Sequence, residues 1–348
     1  MNHSRFFTLY LRTIGDVYLS INFKEGVDKL KIKILTNNTV DMTLTGNPKL
    51  AGKVTQPTQE VASAVAEHGL AMHINIDGID ILYDFGGLAF AILKNLEIFK
   101  IDPKIFNKVV LSHGHFDHFG SMFKLAPLLK PGAEIILSPD AYDQKLGYIA
   151  KSGGIIDIKL LQENFKTYKK EGKVALLPPL KKKAVDKTAE MAQLKIIETK
   201  EPIELAPSVW TSGEIKISDK SELTRNLFLK IGKNEFKEDT FRDEIAIYIK
   251  VKNKGMVVLT GCGHCGIINT IKHCQEISGE NKIYAVIGGF HLNWSTDEQL
   301  DKVINYFKEL QPDIICGMHC TGFKFNSKLS EKMPDNMTLG VVGTEFNL

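Results

Sequence analysis

One short segment constrains the fold of this chain more than any other: the run Ser112-His113-Gly114-His115-Phe116-Asp117-His118. It follows the apolar stretch 108–111, which predicts a short buried strand. Residues two apart in an extended turn point the same way, so His113 and His115 can bind one metal ion. Asp117 and His118 can then face a second ion. Imidazole nitrogens and carboxylate oxygens suit zinc, manganese or iron, so the segment predicts a metal site at a strand end.

Strand, polar cluster and helix follow one another repeatedly along the chain. Each histidine-bearing cluster comes directly after a predicted strand, which is where open α/β folds place their chemistry. A lysine-rich section at about 143–243 has weak periodicity and is interpreted as an insertion on the core. The hydrophobic pattern predicts strands at 31–35, 71–76, 79–83, 108–111, 134–137, 244–251, 256–260, 283–287 and 314–315, and helices at 88–99, from 121, at 267–277 and at 297–310.

Composition excludes several classes of protein. The 348 residues carry 44 basic and 41 acidic side chains, a net charge of +3 that gives no argument for nucleic-acid binding. No apolar run approaches the roughly 20 residues of a membrane span, and the first residues do not resemble a secretory signal. The five cysteines, an odd number confined to the last quarter, do not suit a disulfide framework. We expect a cytoplasmic protein.

The metal-site segment, taken with three later positions, resembles the metallo-β-lactamase superfamily. Asp84 matches its structural aspartate beneath the metals, and His264 and His319 match its two later histidines. The resemblance implies an α/β sandwich of the αββα type, a single domain over 31–348 with the insertion at about 143–243 and an N-terminal extension at 1–30. It implies one or two divalent metal ions, zinc in the first place and manganese or iron as alternatives. The implied ligands are His113, His115 and His264 for one ion, and Asp117, His118 and His319 for the other.

Further motifs resemble one branch of the superfamily, which is similar to archaeal synthases of 7,8-dihydropterin-6-methyl-4-(β-D-ribofuranosyl)aminobenzene 5′-phosphate. On this resemblance His68 is a candidate for phosphate contact or proton transfer, Asp117 is a catalytic candidate, and Glu214 and Thr321 are candidate substrate-binding residues. The motifs are Glu67-His68-Gly69-Leu70, Gly213-Glu214-Ile215, Asp243-Glu244, Gly288-Gly289-Phe290-His291-Leu292 and His319-Cys320-Thr321-Gly322.

The sequence departs from the superfamily at one position. An aspartate commonly bridges the two metals at the end of the strand before the last histidine, but here strand 283–287 ends in Gly288-Gly289-Phe290-His291 and no acid follows before Asp297. His291, a catalytic candidate, therefore has two open roles, as a metal ligand or as a substrate contact. A neutral imidazole leaves more positive charge in the site than a carboxylate, which suits an anionic substrate.

Other residues near these motifs have several interpretations. The spacing of Cys262 with Cys265 and of Cys316 with Cys320 permits a structural zinc site. We favour packing around the metal site, because His264 and His319 lie inside these clusters. The insertion is a candidate lid, with Glu214, Asp243 and Glu244 as candidate inner lining and the lysines 181–183 as a candidate phosphate-steering patch.

The function expected first is hydrolysis of an anionic, phosphorylated small molecule by a metal-activated water. The alternative is a transferase of the dihydropterin synthase type. A flavodiiron-like redox protein ranks lower, since it needs bridging carboxylates and a flavodoxin partner that the sequence does not show. We expect a small-molecule partner, with neither nucleic acid nor membrane, and homo-oligomerisation stays open.

Overall fold

Two large β-sheets lie face to face in the computed structural model, which describes residues 21–149 and 154–348. The strands are β1 (Leu30–Thr36), β2 (Val54–Thr55), β3 (Ala71–Ile76), β4 (Ile79–Tyr83), β5 (Lys108–Val110), β6 (Glu134–Leu137), β7 (Lys145–Tyr148), β8 (Val174–Leu176), β9 (Lys195–Glu198), β10 (Glu204–Ala206), β11 (Val209–Thr211), β12 (Leu227–Lys230), β13 (Phe236–Glu238), β14 (Ile247–Val251), β15 (Gly255–Thr260), β16 (Ile283–Gly289), β17 (Ile314–Met318) and β18 (Glu345–Asn347). The helices are α1 (Ala89–Ile98), α2 (Phe116–Phe119), α3 (Met122–Leu125), α4 (Ile158–Lys170), α5 (Lys182–Ala192), α6 (Ile267–Ser278), α7 (Asp297–Leu310) and α8 (Phe323–Lys332).

The strand order of the two sheets brings the predicted site segments to one edge. The first sheet has the order β2-β18-β1-β3-β4-β5-β6-β9, and the second has the order β10-β11-β14-β15-β16-β17. Strands β4, β5, β6 and β9 are parallel neighbours in the first sheet, and β15, β16 and β17 are parallel in the second. The carboxyl ends of parallel strands share an edge, so the loops that follow them meet.

Three apolar layers hold the sandwich together. Along β15, Val257 and Leu259 face the layer between the sheets, while Met256 and Val258 face the layer under α6, α7 and α8. A sheet covered on both faces needs such a continuous apolar run instead of an alternating one. A third layer packs α1, α3 and α5 on the outside of the first sheet. This arrangement confirms the predicted αββα fold.

The helices predicted with clear periodicity begin and end close to the expected residues. Helix α7 covers Asp297–Leu310, as predicted, and the Thr296 side chain caps its first turn together with Gln299. Helix α6 ends one residue later than predicted, at Ser278. The helix predicted from Ser121 is only one turn, α3, with Pro127 directly after it in a 3₁₀ turn.

The lysine-rich section contributes strands to each of the three sheets in the described part of the chain. Strands β7, β8, β12 and β13 form a separate four-stranded sheet, and α4 packs on it through Leu161 and Phe165. Strand β9, however, pairs with β6, and the hairpin β10–β11 pairs with β14. Helices α4 and α5 were not predicted. Both are amphipathic, but their few buried apolar residues are separated by many lysines, so the section appeared weakly periodic.

The N-terminal extension lies largely outside the described residues, which begin at residue 21. Its last part contacts α6 and the second sheet: the Ile21 amide donates to the Ile277 carbonyl on α6, and Val27 lies beside Val251 on β14. Over the described ranges, the helices are too short or too polar to cross a membrane.

Candidate metal centre

Five strand ends from both sheets meet at one edge of the sandwich. The first sheet provides the ends of β4 and β5, and the second provides those of β15, β16 and β17. The two sheets therefore contribute to a single site. In chain order, the strand ends are followed by Asp84, the segment 113–118, His264, His291 and His319.

The first predicted ligand set is closely grouped. His115 Nδ1 lies 2.9 Å from His113 Nε2 and 3.1 Å from His264 Nε2. All three side chains are buried. Burial, reinforced by the neighbouring imidazoles, holds the pKa values of His113 and His264 well below the ordinary range. The rings are therefore neutral, which is the form that binds a metal ion.

The second set lies beside the first. His319 Nε2 lies 3.2 Å from Asp117 Oδ2 and 3.3 Å from His118 Nε2. Burial alone would raise the pKa of Asp117, but His118 and His319 hold it well below its usual range. Asp117 is thus an ionised carboxylate, and it is the charged donor of this group.

Hydrogen bonds fix the outward nitrogens of four of these rings. Each bond sets the orientation of its ring and leaves the opposite nitrogen directed at the shared space, which is how proteins hold metal-binding histidines. The partners are Ser112 Oγ at 2.9 Å for His113 Nδ1, Asp84 Oδ2 at 2.7 Å for His118 Nδ1, Thr224 Oγ1 at 3.2 Å for His264 Nδ1 and Asn38 Oδ1 at 3.0 Å for His319 Nδ1.

Two further imidazole nitrogens are buried and have no hydrogen-bond partner among the described residues: Nε2 of His115 and Nδ1 of His291. His115 Nε2 is opposite the Nδ1 that meets His113 and His264, so it does not mark the metal position. His291 Nδ1, in contrast, is an unpartnered buried nitrogen beside the site. With the converging nitrogens and Asp117 it forms a donor set that fits divalent metal ions such as zinc, manganese or iron.

Asp84 lies beneath the second set, where the resemblance predicts it. Its Oδ1 accepts from the Ser112 amide at 2.6 Å, and its Oδ2 accepts from the Ser112 hydroxyl at 2.8 Å. The residue has a φ of 64°, a conformation that non-glycine residues rarely adopt. This carboxylate therefore joins the ends of β4 and β5 as well as orienting His118.

Gly114 passes close to a buried ion pair. Its amide donates to Asp243 Oδ2 at 2.8 Å, and Lys145 Nζ lies 3.0 Å from Asp243 and 3.2 Å from Asp239. A Cβ at position 114 would lie 2.0 Å from the Ala141 carbonyl oxygen, so only glycine fits. Asp243, a candidate for the lid lining, is instead buried behind the loop that carries His113 and His115.

Glu244 is also buried behind the site. Its carboxylate accepts from the backbone amides of His264 at 2.8 Å and Cys265 at 2.6 Å. Burial raises its pKa above the ordinary value. Glu244 was predicted to line the inside of a lid, whereas in the fold it fixes the loop that carries His264.

His68 lies at the rim of the second set. Its Nε2 is 3.4 Å from Asp117 Oδ2, and 69% of its side chain is exposed. Its ring also lies 5.0 Å from that of His319. Burial of the remaining part, together with His319, lowers its pKa. A neutral imidazole with this exposure can meet a substrate.

The two remaining substrate-binding candidates are hydrogen-bonded to other parts of the protein. The buried Thr321 hydroxyl accepts from the Phe290 amide at 3.0 Å and donates to the Met318 carbonyl at 2.7 Å, so it joins two site loops. Glu214 pairs with Arg242 at 3.0 Å. Both stay predictions as substrate contacts, and these positions give them no support. The same holds for the lysine patch, where Lys182 pairs with Glu198.

Two cysteines, Cys262 and Cys320, also lie at the site, although the sequence favours a packing role for them. Cys262 Sγ lies 3.2 Å from His118 Nε2 and 3.3 Å from Cys320 Sγ. His291, with a φ of 45°, has its ring 4.2 Å from that of His264. Potential ligand atoms of Cys262, His291 and Cys320 lie within 4.8 Å of one another. In the sequence, the one indication that a cysteine lies at the metal site is the position of Cys262, two residues before His264.

Comparison with known proteins identifies the family. The chain is 31% identical over 279 residues to 7,8-dihydropterin-6-methyl-4-(β-D-ribofuranosyl)-aminobenzene-5′-phosphate synthase of Methanocaldococcus jannaschii, covering 78% of this chain and 86% of the synthase. An uncharacterized protein of the same organism is 31% identical over 278 residues, covering 80% and 92% of the two chains. No protein-family profile matches the chain.

A solved structure supports the fold. The crystal structure of a metal-dependent hydrolase of the β-lactamase superfamily superposes with a TM-score of 0.66 at 22% identity, covering 92% of this chain and 99% of the other. Together with the identity to the synthase, this overlap shows that the chain is an enzyme of the metallo-β-lactamase superfamily, in the branch of the dihydropterin-methyl-ribofuranosylaminobenzene phosphate synthase.

Proposed function

We propose that this enzyme is a transferase that joins a 7,8-dihydropterin, through its 6-methyl carbon, to the amine of a β-ribofuranosylaminobenzene 5′-phosphate. The observation that carries the proposal is the 31% identity to the synthase of that product across 78% of this chain and 86% of the synthase. The sequence motifs alone make this reaction the alternative, and the relative favours it over the hydrolysis expected first.

The reaction needs a leaving group on the methyl carbon, and a diphosphate ester supplies one. The carbon–oxygen bond to the diphosphate breaks, a carbon–nitrogen bond to the aromatic amine forms, and the amine releases a proton. Divalent metal ions held by the two ligand sets would neutralise the leaving diphosphate. The two substrates and the diphosphate are anions, which agrees with a site where Asp117 is the one carboxylate among the grouped donors of residues 21–149 and 154–348.

His68 is proposed as the acceptor of the amine proton. Its imidazole is exposed at the rim, and its lowered pKa keeps it neutral near pH 7. Asp117 Oδ2, 3.4 Å from His68 Nε2, would hold the ring and stabilise it once it is protonated. The Asn38 amide, whose Nδ2 lies 3.3 Å from His68 Nδ1, would give up this contact so that Nδ1 can accept the proton.

An exposed aromatic side chain could receive the flat pterin ring. Trp294 is 70% exposed, and its ring centroid lies 5.4 Å from that of His291. Phe323, which follows the loop of His319, is 86% exposed. Large aromatic faces left open to solvent beside a polar site are suited to stacking a planar heterocycle.

Hydrolysis of a phosphorylated small molecule is the competing interpretation, because the same donor set would hold metals that activate water. One experiment separates the two. Metal-loaded protein is incubated with the dihydropterin-methyl diphosphate, with and without the ribofuranosylaminobenzene phosphate, and products are followed by mass spectrometry and diphosphate release.

A condensed product, with diphosphate release that depends on the amine, is the result expected. The His115→Ala variant should give neither. Release of phosphate or diphosphate at the same rate without the amine, and no condensed product, would refute the transferase and support the hydrolase.

A further inference from the structure

The sulfur of Cys262 lies between the two predicted ligand sets. Its Sγ and potential ligand atoms of Asp117, His118 and His319 all lie within 4.8 Å of one another. Potential ligand atoms of Cys262, His113 and His264 likewise lie within 4.8 Å of one another. Within the described residues, Cys262 is the donor that these two groups have in common.

The two ligand sets carry too little negative charge for two divalent ions, so a further anionic ligand would be favourable. The histidines of both sets are uncharged as ligands, so Asp117 is the anionic donor against four positive charges of two divalent ions. The residues at the position of the superfamily's bridging aspartate are Gly288-Gly289-Phe290-His291. A thiolate is a strong ligand for zinc and other soft or borderline metals and would supply the missing negative charge.

We infer that the Cys262 thiolate is a ligand shared by both metal ions, in the role that a bridging carboxylate has elsewhere in the superfamily. Nitrogen and sulfur ligands of one tetrahedral zinc ion lie ~3.3–3.6 Å apart, as follows from the usual bond lengths. The 3.2 Å between Cys262 Sγ and His118 Nε2 lies just below this range. The inference rests on the metal centre of the proposed function and does not depend on its substrate.

The backbone around Cys262 leaves the sulfur little freedom. Gly261, directly before it, is so close to Ser112 that a Cβ there would lie 2.2 Å from the Ser112 hydroxyl oxygen. Gly263, directly after it, has a φ of 73°. The Cys262 side chain is 2% exposed. The sulfur is thus held at the site by the fold.

Cys320 is the nearest competitor for this role. Its Sγ lies 3.3 Å from both the sulfur and the carbonyl oxygen of Cys262, so its thiol can donate to either. Cys320 is grouped with Cys262 and with His291, whose role as a metal ligand is open, and with none of the six ligands of the two predicted sets. We assign it as a hydrogen-bond donor to the Cys262 sulfur and not as a ligand.

Cobalt substitution tests the ligand without measuring activity. Parent protein and three variants, Cys262→Ser, Cys320→Ser and the remote control Cys274→Ser, are loaded with Co²⁺ under a phosphine reductant, which adds no thiol. The near-ultraviolet thiolate-to-cobalt absorption band should appear in the parent and both controls and be lost in Cys262→Ser. A band that survives in Cys262→Ser, or that disappears in Cys320→Ser alone, overturns the inference.

X-ray absorption of the zinc-loaded parent protein tests the shared position and needs no variant to fold. A bridging sulfur gives one zinc–sulfur distance of about 2.3 Å per zinc ion, whereas a terminal ligand gives one for every two ions. One per zinc is expected. A value of one zinc–sulfur distance for every two zinc ions, or scattering from nitrogen and oxygen ligands alone, refutes a bridging Cys262 sulfur. A protein that loads no metal overturns both the bridge and the proposed function, while a sulfur-bridged protein without transferase activity overturns only the latter.

Discussion

The carboxylate of Asp84 holds the imidazole of His118 by a 2.7 Å contact between Oδ2 and Nδ1. Both side chains are fully buried. Although burial opposes it, the charge of Asp84, with that of Asp117, raises the pKa of His118 to about 9 in the metal-free protein. The contact keeps the proton on Nδ1, so Nε2 is the nitrogen that would lose its proton to a bound metal ion and hold that ion.

Asp84→Asn should therefore weaken the second metal site. An amide that donates to Nδ1 favours the tautomer with its proton on Nε2, which cannot bind a metal. We expect roughly a 10- to 100-fold loss of affinity for one of two ions, measured by titration calorimetry. Asp80→Asn is the matched control, since Asp80 Oδ1 contacts His73 Nε2 at 2.6 Å away from the site. Equal affinity in Asp84→Asn and the parent would contradict the assigned orientation.

His115→Ala should remove metal and activity together while the fold persists. His115 Nδ1 is the central donor of the first set, within 3.1 Å of two other ring nitrogens. We expect the metal content per chain, by elemental analysis, to fall by at least one ion, with an unchanged circular dichroism spectrum. His73→Ala is the control and should keep the parent metal content. Full metal content and turnover in His115→Ala would show that the ligand set is wrong.

Lys145→Met should destabilise the protein strongly, because it leaves Asp239 and Asp243 buried without a counter-charge. Lys145 and the two carboxylates are each only 2% exposed. Removing one partner of a buried ion pair costs about 3–5 kcal/mol of unfolding free energy. Lys324→Met, at the exposed pair with Asp297, should cost far less unfolding free energy. Urea unfolding measures both, and similar losses in the two variants would count against the assigned role of Lys145.

The sequence predicts the parts of the site that are local in the chain. The segment 113–118 carries four donors within six residues, and the strands before Asp84 and His264 have clear apolar patterns. The partners that fix the rings are distant in the chain: Asn38 lies 281 residues from His319, and Thr224 lies 40 from His264. Asn38 has the appearance of a turn residue, and nothing local distinguishes it from one.

Cys262 illustrates the same limit. A small buried residue in a glycine-rich loop packs well anywhere, so the sequence favours packing. Only the fold shows that its sulfur lies 3.2 Å from His118, which is 144 residues away. Helix α4 was missed for another reason. Its apolar residues, which include the buried Leu161 and Phe165, are interspersed with lysines at 159, 166, 169 and 170.

Trp294→Ala should weaken substrate binding without affecting the fold. The side chain is 70% exposed, so we expect the unfolding free energy to change by less than about 0.5 kcal/mol. Loss of a stacking contact of roughly 0.5–1.5 kcal/mol should raise KM for the pterin about two- to twelvefold. The control is Met191→Ala, at a 76% exposed position distant from the site. An unchanged KM in Trp294→Ala would exclude Trp294 from pterin binding.

The stability of the protein should fall in mild acid through His273 on α6. Burial lowers the pKa of His273 to about 4, against an ordinary value of 6.5. Between these values the unfolded chain binds a proton that the folded protein does not, so the unfolding free energy decreases as the pH falls from 6.5 to 4. The full effect is about 3 kcal/mol.

His273→Asn tests this pH dependence, since asparagine does not titrate. Urea unfolding of parent and variant is compared at pH 7 and pH 5, with a chelator present so that metal loss is the same in both. The other buried histidines are common to both proteins and cancel in the difference. The parent should lose more stability than the variant on acidification, by about 1–2 kcal/mol at pH 5. Parallel losses in the two proteins would mean that His273 titrates normally in the folded state.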